Sequence, residues 1–438
     1  MKAPQETIFG TLFQSWPLKP LSDVAFFQEG PGLRKWQWTT SGMKVINVTN
    51  ILGDGSVDVN NTDRFISLEE FQSKYRHFSI EAGDIIVASS GNTYGKVGRI
   101  NHSHLPIMMN TSVIRFHSLD PETLDHEFLY SFLRSHLFKN QMESLVIGSA
   151  QPNFGPSHLK RMFIPCPDII TQRKIVAILS AYDDLIENNL RRIKILEEMA
   201  QNLYREWFVK FRFPGHQTAR FIDSLLGRIP ERWEVKTVEK VFDILGGGTP
   251  SKIVPEYWDK GTINWYSPTD LTAAGSMFMD HSSNQITELG LKKSSARLFP
   301  PFSVMMTSRA TLGVISINTT EACTNQGFIT CIPNEHFPLY TLYYWLRENI
   351  EYFISLGTGA TFKEITKGVF KTIELVVPSR AIVTQFEDTV KPIAFQVLNL
   401  QRKNATLRRT RDLLLPKLIS GEMDVSELDI TVSGESES

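Results

Sequence analysis

The chain has 438 residues, 42% of them hydrophobic and 21% charged, with a formal net charge of −1. That length exceeds one core and predicts two or three domains of ordinary size, while the near-neutral balance gives no sign of the broad basic surface usual in nucleic-acid binders. No run of eighteen apolar residues occurs, the N-terminus lacks a basic-then-apolar leader pattern, and Cys166, Cys323 and Cys331 form neither a C-x-x-C pair nor a cluster of zinc spacing. A cytoplasmic protein with reduced, structural cysteines and no metal is the expectation.

In chain order, WPLKPLSDVAFFQEG from Trp16 leads into a turn, FQEGPGLRK. Short β-rich runs follow, DIIVAS, TSVIRFH and RMFIPCP, between Gly/Asn/Ser/Pro turns, as in a mixed, mostly β domain. A single helix is predicted near HEFLYSFLRSHLFKNQM. Next comes a heptad series with steps of four and three: Ile175, Leu179, Tyr182, Ile186, Asn189, Ile193, Leu196, Ala200, Leu203 and Trp207. Such a seam over more than four heptads marks a long helix that must bury one stripe against a partner.

The second half repeats this order. WEVKTVEKVFDILGG from Trp233 aligns with the stretch from Trp16, setting Gly30 against Gly247. FSVMMTSRATLGVIS from Phe302 matches DIIVASSGNTYGKVG from Asp84, pairing Ser90 with Ser308, Thr93 with Thr311 and Gly95 with Gly313. One helix is again predicted, near LYTLYYWLRENIEYFI. A shift of 211 recovers the seam: Phe386, Val390, Ile393, Val397, Leu400, Asn404, Leu407, Arg411, Leu414 and Leu418. Packed antiparallel, the two stripes place Asn189 and Asn404 in one layer, where buried amides fix register. Pro392 predicts that the second helix starts or bends there.

The stretch LGGGTPSK, Leu245 to Lys252, resembles a phosphate-binding loop only superficially, because its glycines are consecutive and no Gly-Lys pair follows. GNTYGKVG from Gly91 is one residue short and has valine in place of Ser/Thr. Neither an adenine-methylation motif of the N/D-P-P-Y/F type nor HExxH or GxSxG occurs, so no catalytic residue is expected. Residues 401–417 carry six basic side chains against one acidic, and residues 422–438 carry six acidic and no basic ones, the composition of a disordered, solubilising tail.

Two unlike β-rich domains on a helical rod make a caliper. A helix of about 37 residues is roughly 55 Å long, more than one turn of B-DNA at roughly 34 to 36 Å. From LGGGTPSK, YWDKGTINWYSPTDL, the stretch from Gln172 to Phe208 and LRRTRDLLLPKLISGEMDV, over about residues 16 to 425, the chain resembles the specificity subunit of type I restriction-modification systems. The resemblance implies an α+β fold with two mixed, mostly β target-recognition domains in pseudo-two-fold repeat, separated by two long helices that form an antiparallel coiled coil. The corresponding division is 1–170 and 233–380 for the recognition domains, 171–210 and 381–421 for the spacer helices, 211–232 for a linker and 422–438 for the tail. It also implies a non-catalytic subunit that reads a split, asymmetric duplex DNA target. The implied partners are two methyltransferase subunits and two restriction subunits, with S-adenosylmethionine and ATP on those partners only.

Base edges are read by polar side chains from loops. The expected base contacts are Asn92, Tyr94, Gln151, Arg309 and Lys363, and the expected phosphate contacts are Ser90, Lys96, Thr249, Lys252 and Thr361. Trp207 and Phe208 are expected to form a partner-binding patch, joined by the basic helix face that includes Arg408 and Arg409. RKWQW and INWYSPTDL fit a nucleic-acid surface or core packing equally well. A two-headed protein-binding scaffold with a coiled-coil spacer is the alternative function, and indifference to duplex DNA would distinguish it.

Overall fold

The computed structural model describes residues 5–7, 10–12, 16–53, 55–145, 153–309, 311–359 and 363–432. The chain divides into two compact units, residues 1–186 with 406–438, and residues 187–405. In the first, an antiparallel sheet has the spatial order Ala25–Glu29, Val113–Ser118, Ile85–Ala88, Val97–Arg99. A second sheet joins Phe65–Ile66, Met43–Ile46 and Ile107–Met109, the last pair parallel. Ile85 and Val87 enter one core with Phe116 and Phe128, whereas Ile86 and Ala88 enter another with Ile46 and Met109. This two-residue alternation into two cores explains why the strand reads as an unbroken apolar run.

The second unit repeats the order with Asp243–Gly246, Phe328–Ile332, Val304–Thr307 and Ile315–Asn318, and adds Phe278–Met279 at the far edge. Its smaller sheet, Asn284–Ile286, Ile263–Tyr266 and Ala322–Thr324, again ends in a parallel pair. The sequence repeat is therefore a repeat of both sheets. It also reaches further forward than Trp16 and Trp233. Each half begins with a hairpin, Gln5–Thr7 with Gly10–Leu12 and Phe221–Ser224 with Gly227–Pro230, and Leu12 and Ile229 are buried in their respective cores. The stretch 211–232, expected as a linker, is thus folded, with Phe213 in the core as well.

Each expected single helix is two. Ser135, in extended conformation, separates His126–Arg134 from His136–Leu145. Asn349 separates Leu339–Glu348 from Ile350–Leu356, its Nδ2 donating to the Trp345 carbonyl at 2.8 Å. Apolar periodicity continues across both breaks, which is why the sequence does not reveal them.

The long helices are Ile169–Tyr204 and Arg380–Ile419, 36 and 40 residues. Contrary to expectation, the second begins twelve residues before Pro392 and continues through it. One lost hydrogen bond is offset by burial on either side, since Val390 and Ala394 both lie in the core. In the second unit Asn189 Nδ2 donates to Asn404 Oδ1 at 2.8 Å, and Trp207 and Phe208 pack on Phe386 at ring separations of 5.8 and 4.9 Å. Rising numbers on one helix meet falling numbers on the other, so the pair is antiparallel. The first unit shows the same sense, with Asp183 bonded to Arg411 and Lys174 Nζ to the Ser426 carbonyl.

That last bond corrects the reading of the tail. Val425 is buried in the first unit's core and Val432 is buried too. A composition average over an acidic stretch hides single apolar anchors, and residues 433–438 lie outside the described ones. All three cysteines are free and buried, with burial pushing the Cys166 thiol up to about 11.

Candidate nucleic-acid interface

At one end of each larger sheet a polar loop is held by the same backbone bonds. In the first unit Ser89 N donates to the Ser112 carbonyl at 2.8 Å and the Ser89 carbonyl accepts from Phe154 N at 3.1 Å. In the second, Ser308 N donates to the Gly327 carbonyl at 2.9 Å and the Ser308 carbonyl accepts from Ile365 N at 3.0 Å. Ser308 therefore corresponds to Ser89, one residue earlier than the alignment that pairs it with Ser90. Gly95 and Gly313 still coincide, each at positive φ and donating its N–H back to the strand end, to Ala88 and Thr307. The second loop is consequently one residue shorter, and Arg309 stands where the first domain has Ser90. Ser90 and Arg309 each bridge to the neighbouring segment, at Asn153 and Glu364.

The candidate residues fare differently. Lys252 and Lys363 are exposed, and Lys96, Ser90 and Arg309 are half-buried at the loop bases. Asn92 sits in the short turn Gly91–Thr93. Gln151 and Thr361 lie outside the described residues. Tyr94 is a correction: its ring packs edge-on against Phe154 at 5.6 Å and its buried hydroxyl has no hydrogen-bond partner among the described residues. Burial, then the Glu143 charge, pushes that hydroxyl's pKa up. It closes the core under the loop, so it is not placed to touch a base.

The glycine run has a structural reason. A Cβ on Gly247 would stand 2.1 Å from the carbonyl oxygens of Thr324 and Asn325, and one on Gly30 would stand 2.1 Å from that of Asn110. These glycines allow backbone to cross backbone within the protein. Thr249 beside them donates to Gln326 Oε1 at 2.7 Å. Gln326 is exposed, so this bond orients an amide that sequence reasoning passed over. Its position is legible only in retrospect, in the matched turns NTS (Asn110 to Ser112) and NQG (Asn325 to Gly327), where Asn110 N donates to the Ile46 carbonyl and Asn325 N to that of Tyr266, each at 3.0 Å.

Trp207 and Phe208 are also corrections. Both are buried against Phe386, with Phe208 also on Trp233, because they close the junction between rod and domain core. Arg411 is buried and bonded to Asp183 and Asp412, and Arg402 is clamped on Asp280, so the basic helix face is smaller than composition suggests. Arg408 is half-buried and Arg409 exposed. Exposed apolar side chains in this part of the rod are Leu190, Ile195, Met199 and Phe395. Among the described residues no helix is long and apolar enough to cross a membrane.

The chain matches the family described as type I restriction modification DNA specificity domain over residues 14–198 and 230–392, one match per repeat. It is 25% identical over 435 residues to the type I restriction enzyme MjaIX specificity subunit of Methanocaldococcus jannaschii, covering 97% of each chain. Similarity to the HindI specificity subunit of Haemophilus influenzae is also 25%, over 68% of this chain and 77% of the other. The solved S subunit of a type I restriction-modification system from M. genitalium superposes with a TM-score of 0.50 at 17% identity, over 92% of this chain and 96% of that one. With both repeats matched across most of their length, the chain belongs to the type I restriction-modification DNA specificity family.

Proposed function

We propose that this protein is the non-catalytic subunit that reads a two-part, asymmetric sequence in duplex DNA and positions methyltransferase and restriction subunits of its system on it. The supporting observation is the double construction: two sheets that share a four-strand order end in loops held by the same backbone bonds, and those loops carry different side chains. A shared framework with unlike loops suits two readers of two different half-sites. S-adenosylmethionine and ATP belong to the partner subunits, and the complex works in the cytoplasm. Ile195 and Met199, one turn apart and exposed on the first long helix, replace Trp207 and Phe208 as the apolar surface offered to a methyltransferase subunit.

Adenine methylation mapped in a host genome, with this chain expressed beside its methyltransferase subunit, tests the reading. A single motif of two short defined halves around a fixed undefined gap is the expected result. Absence of chain-dependent methylation from a stable complex would overturn it.

A further inference from the structure

We propose that Arg64 is the guanine-reading residue of the first recognition domain. The inference rests on the DNA-reading role proposed above and assigns one base contact within it. Arg64 is exposed, yet its guanidinium is fixed from two directions: it lies over the Trp38 ring, 5.4 Å from the centroid, and Nη1 donates to Asn47 Oδ1 at 3.1 Å. Asn47 is itself held, since the same Oδ1 accepts from Asn110 Nδ2 at 2.8 Å and its backbone N donates to Asn50 Oδ1 at 2.8 Å. No carboxylate pairs with Arg64 among the described residues, and Nε and Nη2 remain unused.

Ordering an exposed arginine costs side-chain entropy. A residue that only neutralises phosphate gains little from that cost, because a mobile cation serves as well. A planar fork fixed in advance with two free donors matches the paired O6 and N7 acceptors of guanine. Its place agrees. Asn110 leads through Thr111 to Ser112, whose carbonyl holds Ser89 at the base of the polar loop, so Arg64 belongs to the same hydrogen-bonded strip as that loop. The buried Oδ1 of Asn110 has no partner within that strip.

The second domain builds this corner without the arginine. Ser267 N donates to Asp270 Oδ2 as Asn47 N does to Asn50, and Asn284, which the strand register places opposite Trp265 as Arg64 lies opposite Val45, spends its Nδ2 on Ser283 Oγ at 3.1 Å. Trp258, in the place of Trp38, donates its indole N–H to the Ser251 carbonyl. An arginine appears in that domain at Arg309 instead. The two domains thus offer arginines from different elements.

The test uses the full chain with its methyltransferase subunit, comparing wild type, Arg64→Ala and Arg64→Lys by methylation mapping and by duplex binding across a salt series. We expect both variants to lose discrimination at one G·C pair of one half-site by about ten- to a hundredfold, with the other half-site unchanged. Lysine keeps the charge and loses the fork, so wild-type discrimination in Arg64→Lys would overturn the assignment. So would a uniform loss across the motif in Arg64→Ala with a salt slope shallower by about 0.9, the mark of a phosphate contact. If the wild-type complex itself yields no split motif, the DNA-reading role fails and the assignment falls with it.

Discussion

The two recognition domains share a backbone plan and differ in how they are fastened to the rod. In the first, a neutral amide makes the joint. Gln172 Oε1 accepts from Asp125 N at 2.9 Å, and its Nε2 donates to the carbonyls of Pro167 and Thr123 at 2.9 and 3.1 Å. In the second, a carboxylate does the corresponding work: Glu387 accepts from Thr341 N and Oγ1 at 2.7 and 2.8 Å and from Tyr340 N at 3.3 Å. Both domains also carry charged ties to the rod, Glu122 to Arg173 and Arg134 to Asp183 in the first, and Arg347 to Glu197, Glu348 to Arg205 and Asp280 to Arg402 in the second. Duplication conserved where the joint lies and left its chemistry free, because any buried acceptor that satisfies the helix-start N–H groups will serve.

The largest expected effect tests the part that is shared. Gly30→Ala and Gly247→Ala each force a methyl group to 2.1 Å from a backbone carbonyl, where no flexible side chain can give way. Each should cost about 3 kcal/mol in thermal or denaturant unfolding, the upper part of the range for overpacking. Comparable losses from both would confirm a common structural role. A variant with native stability but weakened DNA binding would instead return the glycine turn to the phosphate.

A smaller effect separates the joints. Gln172→Ala strands the Asp125 N–H and two carbonyls in a buried site, at about 2 kcal/mol. Glu387→Gln keeps an acceptor in place and removes a charge that burial disfavours, since burial, ahead of its hydrogen bonds, holds that carboxyl's pKa above the usual value. A raised carboxylate pKa means that stability declines as pH rises through the unfolded and then the folded value. Glu387→Gln should therefore be no less stable than wild type near pH 7 and should lack that decline. A loss equal to that of Gln172→Ala would show that the charge matters to the joint.

The repeat, the heptad seams and the Asn189–Asn404 layer are legible in the sequence because spacing alone encodes them. All twenty seam positions are buried or half-buried. Residues whose role depends on what faces them were harder to read. Trp207 and Phe208 look like an exposed aromatic patch until Phe386, far away in sequence, covers them. Tyr94 sits in a polar loop yet points inward because Phe154 lies beneath it. Arg64 escaped notice in the opposite direction: DRF carries no motif, and its standing depends on Trp38, Asn47 and Asn110, which only the smaller sheet brings together.

The smallest expected effect concerns the charged tie between Asp280 and Arg402. Arg402 Nε and Nη2 reach the two carboxylate oxygens at 2.9 and 2.7 Å, and Thr319 adds a third donor. The Arg402 hydrogen bonds, foremost among these contacts, hold the Asp280 carboxyl below the usual aspartate value. Because the folded-state pKa is depressed, the tie's contribution is complete above the unfolded value of about 4 and is lost as pH falls through the folded one. Both side chains are partly in water, so the pair contributes about 1 kcal/mol at most. Asp280→Asn should lower stability by that amount near neutral pH, and the difference from wild type should close in acid. Bidentate geometry also ties the end of the larger sheet's edge strand, Phe278–Met279, to the second long helix. Losing it should loosen reading in the second half-site while leaving the first unchanged, whereas equal loosening of both half-sites would show that this clamp does not belong to one domain alone.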